Sequence, residues 1–176
     1  KSAAGKRWSV TEKIDARAIF SLQAIGGTRA DDQGRVTVRV QADQVEQLKG
    51  FGLVFHYDPQ AVIWEDATPG PGHLLTSQGS QAPLFQVLAQ TPGQLIIGSG
   101  ITQGEPVSGH GLLAELNFRV IGTASTTRFD LVEALIARSG DDVRRVSQLR
   151  SATLRPQTYY LGANFPNPFN PSTSID

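Results

Sequence analysis

The sequence predicts an all-β protein, an antiparallel sandwich of about nine strands with an extension at each end. Apolar and polar residues alternate with a period of two in one segment after another, which is typical of strands that bury one face. Turn-forming residues separate these segments, and the chain contains 18 glycines and 10 prolines. A helical period is absent apart from one helical turn predicted at Val45 to Leu48. Many short strands joined by turns favour two packed sheets.

The block from Arg35 to Trp64 is the centre of this prediction, and its pattern indicates three strands joined by two turns. The buried face of the first strand is rich in valine: Val36, Val38, Val40 and Ala42. A polar connector follows, and the buried face of the second strand is aromatic: Phe51, Leu53, Phe55 and Tyr57. Asp58-Pro59 makes the next turn, because proline fixes φ and the aspartate can accept hydrogen bonds from the backbone beyond it. Ala61 to Trp64 begins the third strand, with Trp64 in the core.

Segments on either side of this block supply the other strands. Ala16 to Ile25 is the first strand of the chain, and its buried face comprises Ala18, Phe20, Leu22 and Ala24. Leu84 to Ala89 and Gln94 to Ile101 form a hairpin around Thr91-Pro92-Gly93. The loop from Ala67 to Pro83 is a candidate binding loop, since long loops on a sandwich often carry function.

The longest regular alternation follows Gly109 to Gly111 and predicts a central strand. Its buried face is predicted as Leu112, Ala114, Leu116, Phe118 and Val120, and its opposite face as Leu113, Glu115, Asn117 and Arg119. Each large buried side chain stabilises the fold by about 1.5–3 kcal/mol. Arg128 to Arg138 and Val143 to Leu154 form the last pair of strands, joined by a turn at Ser139 to Asp142. The organisation is therefore an N-terminal arm (1–15), a sandwich (16–156) and a C-terminal tail (157–176).

Composition limits the functions open to the chain. Sixteen basic and sixteen acidic residues cancel, so no overall charge favours nucleic acid or an anionic membrane. The absence of cysteine excludes a disulfide framework, a thiolate metal site and a cysteine nucleophile. No apolar run approaches the length of a transmembrane helix. Because Lys1 is not a natural start, we expect either a removed signal peptide or a sequence that begins inside a longer protein.

No group of residues predicts catalysis. His56, His73 and His110 lie far apart in the sequence and never at the spacing of metal ligands. Glu65 and Asp66 are adjacent, so on a regular strand they point to opposite faces and cannot act as a glycosidase pair. The chain is therefore predicted not to be an enzyme.

No cofactor is expected either, and calcium is the one cation that the turns could bind. Four aspartates lie in predicted turns and carry suitable oxygen ligands: Asp31, Asp32, Asp141 and Asp142. Neither pair has the spacing of a dedicated calcium loop, and turn chemistry explains these aspartates equally well. The segment from Gly98 to Gly104 has the glycines of a phosphate loop but lacks its lysine and the following helix, so it is interpreted as a strand end and turn.

The central block also resembles the opening half of a cohesin domain. The likeness rests on the valine-rich strand, the connector Leu48-Lys49-Gly50-Phe51, the strand ended by Tyr57-Asp58-Pro59, and the Val62-Ile63-Trp64 strand. Two later segments, QLIIGSGI and GHGLLAELNFRVIG, continue it over about residues 16–156. The resemblance implies a nine-stranded jelly roll that serves as the receptor half of a cohesin–dockerin pair.

In cohesins, the partner docks on a sheet face that includes the strands similar to Phe51–Tyr57, Leu84–Ala89 and Gln94–Ile101. The resemblance therefore implies a partner face at the outward positions of these strands: Val54, His56, Gln86, Leu88, Ile96 and Gly98. This face is more apolar than a lone sandwich needs, so we expect another surface to cover it. The assignment depends on the phase of each strand, because a shift of one residue moves every side chain to the other face.

The tail resembles a second kind of module. The stretch YYLGANFPNPFNPST is similar to the start of the C-terminal sorting domains of the type 9 secretion system, and to related small immunoglobulin-like modules. Phe165 stands where the typical form has tyrosine. This resemblance implies a Gram-negative bacterium of the Bacteroidetes or a relative, and export to the cell surface or the medium.

The sequence favours a non-catalytic extracellular structural module that associates with copies of itself, head to tail, as a filament or surface-layer subunit. The predicted contact is the tail, added to the sheet edge of a neighbour through these residues: Phe165, Pro166, Asn167, Pro168, Phe169 and Ile175. A simpler arrangement, in which the tail folds back on its own domain, stays open. The alternative function is a cohesin-type receptor for a dockerin-bearing enzyme. A glycan-binding or enzymatic sandwich is disfavoured, because no aromatic platform or acid pair is visible.

Overall fold

A computed structural model describes residues 13–25, 33–77, 82–121, 126–140 and 142–155. Within those residues the strands are β1 (Lys13–Ala24), β2 (Arg35–His56), β3 (Val62–Thr68), β4 (Leu84–Thr91), β5 (Gln94–Gly100), β6 (Val107–Val120), β7 (Thr127–Arg138), β8 (Val143–Arg150) and β9 (Ala152–Leu154). One short 3-10 helix, Leu74–Thr76, lies between β3 and β4. The predicted all-β fold of about nine strands is confirmed.

Two layers of strands enclose the core, and β2 belongs to both of them. Its N-terminal half pairs with β1 and β6, and its C-terminal half pairs with β5 and β7. One layer therefore runs β3-β6-β2-β1, and the other runs β4-β5-β2-β7. Strand β8 joins them, because it pairs in parallel with β1 and antiparallel with β7. Strands shared between the two layers complete the predicted jelly roll.

Strand β2 is continuous over 22 residues, where the sequence predicted two strands and a polar connector. Its pairing with β6 advances by three residues on β2 for every two on β6: Ala42 opposite Gly111, Val45 opposite Gly109, and Leu48 opposite Val107. Two successive bulges produce this pattern, and they turn the strand from one layer into the other. The predicted helical turn at Val45 to Leu48 is therefore wrong, since the apolar spacing of three comes from bulges.

The core is centred on a cluster of aromatic rings from three strands. The ring centroids of Phe118 and Phe129 are 5.0 Å apart, and Phe55 lies 5.7 Å from Phe118 and 5.9 Å from Phe129. Tyr57 packs edge-on against Phe118 at 5.2 Å. Such contacts add to the stability that burial of the rings provides. The predicted inward faces of β1 and β2 point into this core.

The predicted phase of β6 is correct over its second half and wrong at one point in its first half. Leu113 is fully buried and Leu112 is partly exposed, the reverse of the prediction. The cause is a register shift, since Val40 pairs with Ala114 but Gln41 pairs with Leu112, leaving Leu113 as an extra residue. A bulge of this kind cannot be recognised from alternation alone.

The first strand begins at Lys13, three residues before its predicted start, because residues 13–15 pair with β8. Asp15 anchors this end and is buried. Its Oδ1 accepts hydrogen bonds from the backbone N–H groups of Ala18 at 2.9 Å and Arg17 at 3.0 Å, and its other oxygen pairs with Arg138. Burial raises the pKa of Asp15, but these hydrogen bonds and the guanidinium outweigh burial and hold the pKa below its ordinary value.

The described part of the long loop after β3 is packed against the core. His73, Leu74 and Leu75 are buried, and Nδ1 of His73 accepts a hydrogen bond from the backbone N–H of Leu75 at 3.1 Å. The His73 ring stacks on Phe51 with centroids 6.1 Å apart. The sequence predicted a candidate binding loop here, and in the described part of it three residues pack into the core instead.

Candidate protein-binding surface

The outward sides of β4, β5, the second half of β2, and the paired parts of β7 and β8 form one continuous surface. We call it the apolar face, and its members are Leu84, Gln86, Leu88, Ile96, Gly98, Gly100, Gly50, Gly52, Val54, His56, Leu135, Ala137 and Val143. The strand register places Ile96 between Leu88 on β4 and Val54 on β2. Every position predicted from the sequence for a partner face lies here. On this face, the side chains of His56 and Gln94 share one hydrogen bond of 3.0 Å.

Large apolar side chains are exposed on this face. Leu84 keeps 68% of its surface accessible, Leu88 50%, Ile96 45% and Val143 51%. Leu88 and Ile96 lie directly opposite each other, so their exposed surfaces are contiguous. A contiguous apolar patch on a soluble domain is typical of a surface that a partner covers.

Four glycines leave the centre of the apolar face without side chains. Gly50 lies opposite Gly100 and Gly52 lies opposite Gly98, so two glycine pairs are adjacent across β2 and β5. Gly50, Gly52 and Gly100 line a shallow groove of about 390 Å³, which is bordered on the β7 and β8 side by Leu135, Ala137 and Val143. Gly98 lies beside the groove, opposite Gly52. We call the four glycines the glycine floor.

Only part of the glycine floor is required by the fold. A Cβ at Gly50 would lie 2.8 Å from the carbonyl oxygen of Ser99, so no side chain fits at that position. A Cβ at Gly52 would meet nothing within 4 Å, and one at Gly98 would meet only a carbonyl oxygen at 4.0 Å. Packing therefore does not explain Gly52 or Gly98, and an open groove is the consequence of having glycine there.

The opposite outward face, on the layer β3-β6-β2-β1, carries polar side chains that pair with one another, and we call it the polar face. The Thr37 hydroxyl donates to the side-chain oxygen of Asn117 at 2.7 Å, and the Asn117 amide donates to Asp66 at 2.7 Å. Arg39 donates to Glu115 at 2.8 Å. Polar side chains that satisfy one another across strands are suited to contact with water. The two faces of the sandwich are therefore not equivalent.

Charged groups border the apolar face at its two ends, and one acidic member, Asp130, is paired with Arg128 at 2.7 Å. At one end Asp130 lies opposite His56, and Glu133 lies opposite Val54. At the other end Lys49 lines the groove, and Arg145 lies opposite Leu135. Such a distribution orients an approaching partner more than it adds to affinity.

The histidines and carboxylates do not converge on a reactive site. His56 lies on the apolar face, His73 is a buried residue of the loop after β3, and His110 is exposed on β6. Among the residues that the structure describes, no three histidine or carboxylate side chains are grouped to hold a metal ion. Glu65 is paired with Arg119 at 2.8 Å.

The turn aspartates give no further support to the calcium hypothesis. Asp142 accepts from Lys13 and Arg144, each at 2.8 Å, and hydrogen bonds from these two cations hold the pKa of Asp142 below its ordinary value. The other three aspartates lie outside the described residues, as do all the tail residues predicted for self-association. Across the described ranges, no helix has the length and apolar character needed to cross a bilayer.

Part of this surface was not predicted from the sequence, namely Leu84, Leu135, Ala137, Val143 and three of the floor glycines. A signal for the glycines exists in the sequence. Gly50-Phe51-Gly52 and Gly98-Ser99-Gly100 each place two glycines two residues apart, and on a strand such residues share a face. The contribution of β7 and β8 follows only from the strand order.

Comparisons with solved structures identify the fold. The cohesin module of a family 33 glycoside hydrolase from Clostridium perfringens is similar with a TM-score of 0.63 and 11% identity, over 78% of this chain and 96% of that one. A non-cellulosomal cohesin from the archaeon Archaeoglobus fulgidus is similar with a TM-score of 0.61 and 19% identity, over 80% and 91% of the two chains. The sixth cohesin of Acetivibrio cellulolyticus scaffoldin B, solved in complex with a dockerin, gives 0.62 and 12%, over 80% and 99%. No protein-family model and no curated protein matches the sequence. The described chain therefore has the jelly-roll fold seen in cohesin modules.

Proposed function

We propose that the chain is a non-catalytic protein-binding module whose apolar face binds a helical partner of the dockerin type. The observation that carries the proposal is a groove lined by Gly50, Gly52, Gly100 and Val143, on the same face of the sandwich as the exposed Leu84, Leu88 and Ile96. The cohesin-like fold supports it, because one of the similar structures is a cohesin in complex with a dockerin. The proposed location is extracellular, as the resemblance of the tail to sorting domains implies.

The groove suits a helix for a physical reason. A floor without side chains lets the backbone and small residues of a helix approach the sheet closely beside Val143, and Leu88 and Ile96 offer further apolar contacts along the same face. Apolar anchors at the centre of an interface usually carry most of its binding energy. The acidic and basic ends of the face would set the direction in which the helix lies.

Binding to a panel of purified dockerins, measured by calorimetry, tests the proposal. We expect Ile96→Glu and Leu88→Glu to weaken binding by about 2 kcal/mol or more, because each places an unpaired charge in the contact. Gln23→Glu is the matched control on the polar face, where Gln23 only accepts a hydrogen bond from Gln41 at 2.9 Å and a carboxylate can do the same. Equal loss of binding in the control, or no binding of the parent chain to any dockerin, would contradict the proposal.

Gly52→Val provides a second test that separates the groove from the stability of the fold. Since a Cβ at Gly52 has open space, we expect valine to leave the free energy of unfolding within about 1 kcal/mol of the parent value. The same side chain fills the groove, so binding should fall at least about tenfold, equivalent to about 1.4 kcal/mol. Undiminished binding to a stable Gly52→Val variant would show that the partner does not use the groove.

Self-association through the tail stays as a second proposal, and the free edge of β4 is the observation that favours it. In the described part of the chain, β4 pairs with β5 on one side and with no strand on the other. Exposed edges of this kind accept extended segments. Electron microscopy of the full chain tests the proposal: filaments that disappear in a Phe165→Ser, Phe169→Ser variant support the tail as the contact, and filaments that persist exclude it.

A further inference from the structure

The edge strand β4 lacks most of the features that usually prevent edge pairing. Its sequence, LFQVLAQT, contains no charged residue and no proline, and none of its residues is buried. Its pairing with β5 is regular from Leu84 to Leu88. Natural edge strands are normally protected by lysine, proline, a bulge or very short length, because an unprotected edge pairs with other chains.

The other sheet edges in the described part of the chain are protected. Strand β3 has a bulge between Trp64 and Asp66, and its exposed Glu65 and Asp66 carry charge. Strand β9 is only three residues long. Strand β4 is therefore the one described edge with a regular, uncharged stretch of five residues, Leu84 to Leu88, before its register shifts between Leu88 and Thr91.

We propose that β4 pairs with β4 of a second copy of the chain, antiparallel and about a two-fold axis, with Gln86 opposite Gln86 of that copy. In this register Leu84 lies opposite Leu88, and Phe85 lies opposite Val87. Because of the two-fold symmetry, the Leu84–Leu88 contact and the Phe85–Val87 contact each occur twice. A two-fold contact of this kind is closed, so it produces a dimer and not a filament.

The register follows from matching side chains across the axis. Centring the axis on Gln86 pairs apolar residues with apolar residues and one amide with an identical amide, which is favourable on both faces of the sheet. Centring it on Val87 would place Leu84 opposite Gln90 and Gln86 opposite Leu88. The first arrangement covers the exposed Leu84 and Leu88, and the second leaves each beside a polar group.

A second copy fits this edge better than the tail does. Three prolines lie between Phe165 and Ile175, at 166, 168 and 171, and each lacks the backbone N–H that a paired strand donates. Strand β4 has no proline, so each residue whose backbone N–H and C=O point away from β5 can pair at the free edge. The two-fold dimer and the tail would occupy the same edge of β4, so they are alternatives at that edge. The inference does not rest on the partner proposed for the apolar face.

Charged substitutions at Gln86, the residue that the two-fold axis places opposite itself, test the proposed β4–β4 register in the full chain. We expect the parent chain to sediment as a dimer, and Gln86→Lys and Gln86→Glu each to weaken the dimer at least about tenfold, because like charges would meet across the axis. Mixing the two variants should restore a dimer that contains one of each and that weakens with added salt. Gln23→Lys, on the polar face, is the control and should leave the dimer intact.

A single cysteine provides a direct readout, since the chain has none of its own. Gln86→Cys should form a disulfide-linked dimer under mild oxidation, and Gln23→Cys should not. A monomeric parent chain, a dimer unaffected by Gln86→Lys, or variants that fail to associate when mixed would each overturn the proposal. Association that is lost only in the Phe165→Ser, Phe169→Ser variant would overturn it in favour of the tail.

Discussion

Two glutamines in β2 occupy backbone conformations that glycine adopts more easily. Gln44 and Gln47 each have a φ of 54°, in the left-handed region that costs an L-residue about 1–2 kcal/mol. We expect Gln44→Gly to raise the free energy of unfolding by about 0.5–1 kcal/mol, because relief of this strain exceeds the entropy that glycine adds to the unfolded chain. Gln41→Gly, in the regular part of the same strand, should lower it by a similar amount. Urea denaturation measures both, and equal effects at the two positions would contradict the explanation.

His73 makes stability depend on pH. Burial lowers the pKa of His73, although the backbone of Leu113 acts in the opposite direction. The folded chain therefore holds this ring neutral at pH values where the unfolded chain protonates it, so the unfolded state binds more protons. Stability should be complete above the unfolded pKa of about 6.5 and should fall as the pH drops below it.

Thermal unfolding between pH 4.5 and 7.5 measures this dependence. A His73→Phe variant, whose ring can still stack on Phe51, should lose much of the slope near pH 6 even if its overall stability changes. His110→Asn, at an exposed position, should keep the slope of the parent chain. A slope that survives in His73→Phe would assign the effect to another group.

At the scale of single elements, an ion pair of Asp15 with Arg138 connects the start of β1 to the end of β7. The pair is buried, and two backbone N–H groups bind the Asp15 carboxylate. Asp15→Asn keeps an acceptor for those N–H groups but leaves Arg138 without its main counter-charge, so we expect a loss of about 3 kcal/mol. Asp15→Ala should cost more, since it removes the acceptor as well.

Arg17→Ala is the matched control for this element. Arg17 forms an exposed pair with Glu46 at 3.4 Å, and such pairs contribute less than about 1 kcal/mol. The measurement is chemical denaturation of the three variants at pH 7. If Asp15→Asn were no more destabilising than Arg17→Ala, the pair with Arg138 would not hold β1 in place.

Regular strands could be predicted from the sequence, whereas the irregular points within them could not. Alternation identifies Phe51, Leu53 and Phe55 as buried because one face of a strand meets the core. It fails at Leu113 and between Ala42 and Leu48, where bulges arise from the way in which one strand must bend to serve two layers. Such bending is a demand of the whole fold and has no local sequence pattern.

The candidate site also has one part that could be predicted from the sequence and one part that could not. Val54, Leu88 and Ile96 belong to regular stretches, so their shared face could be predicted once the strands were matched to the cohesin pattern. The groove could not be predicted, because it depends on Gly50 lying opposite Gly100 and on β7 lying beside β2. Both facts concern long-range pairing between segments far apart in the chain, which composition and periodicity do not specify.

At the scale of the whole molecule, β2 makes the two layers a single unit. One strand pairs with β1 and β6 through its first half and with β5 and β7 through its second half. Neither layer can lose its pairing with β2 without exposing the aromatic core that both cover. The chain should therefore unfold in one cooperative transition, in spite of the different chemistry of its two faces.

Leu48 is the position at which this coupling can be tested. It is fully buried, and it lies opposite Val107 of β6 in one layer and Arg138 of β7 in the other. Leu48→Ala should lower the free energy of unfolding by about 2–5 kcal/mol, the usual cost of a cavity in a core.

Because both layers share β2, hydrogen exchange in the Leu48→Ala variant should accelerate to a similar degree in peptides from β6 and from β5. Ala89→Gly, on the exposed edge strand, is the control and should accelerate hydrogen exchange only near β4. Faster exchange in β5 alone after Leu48→Ala would mean that the layer bearing the apolar face opens by itself, and the single cooperative unit would have to be divided in two.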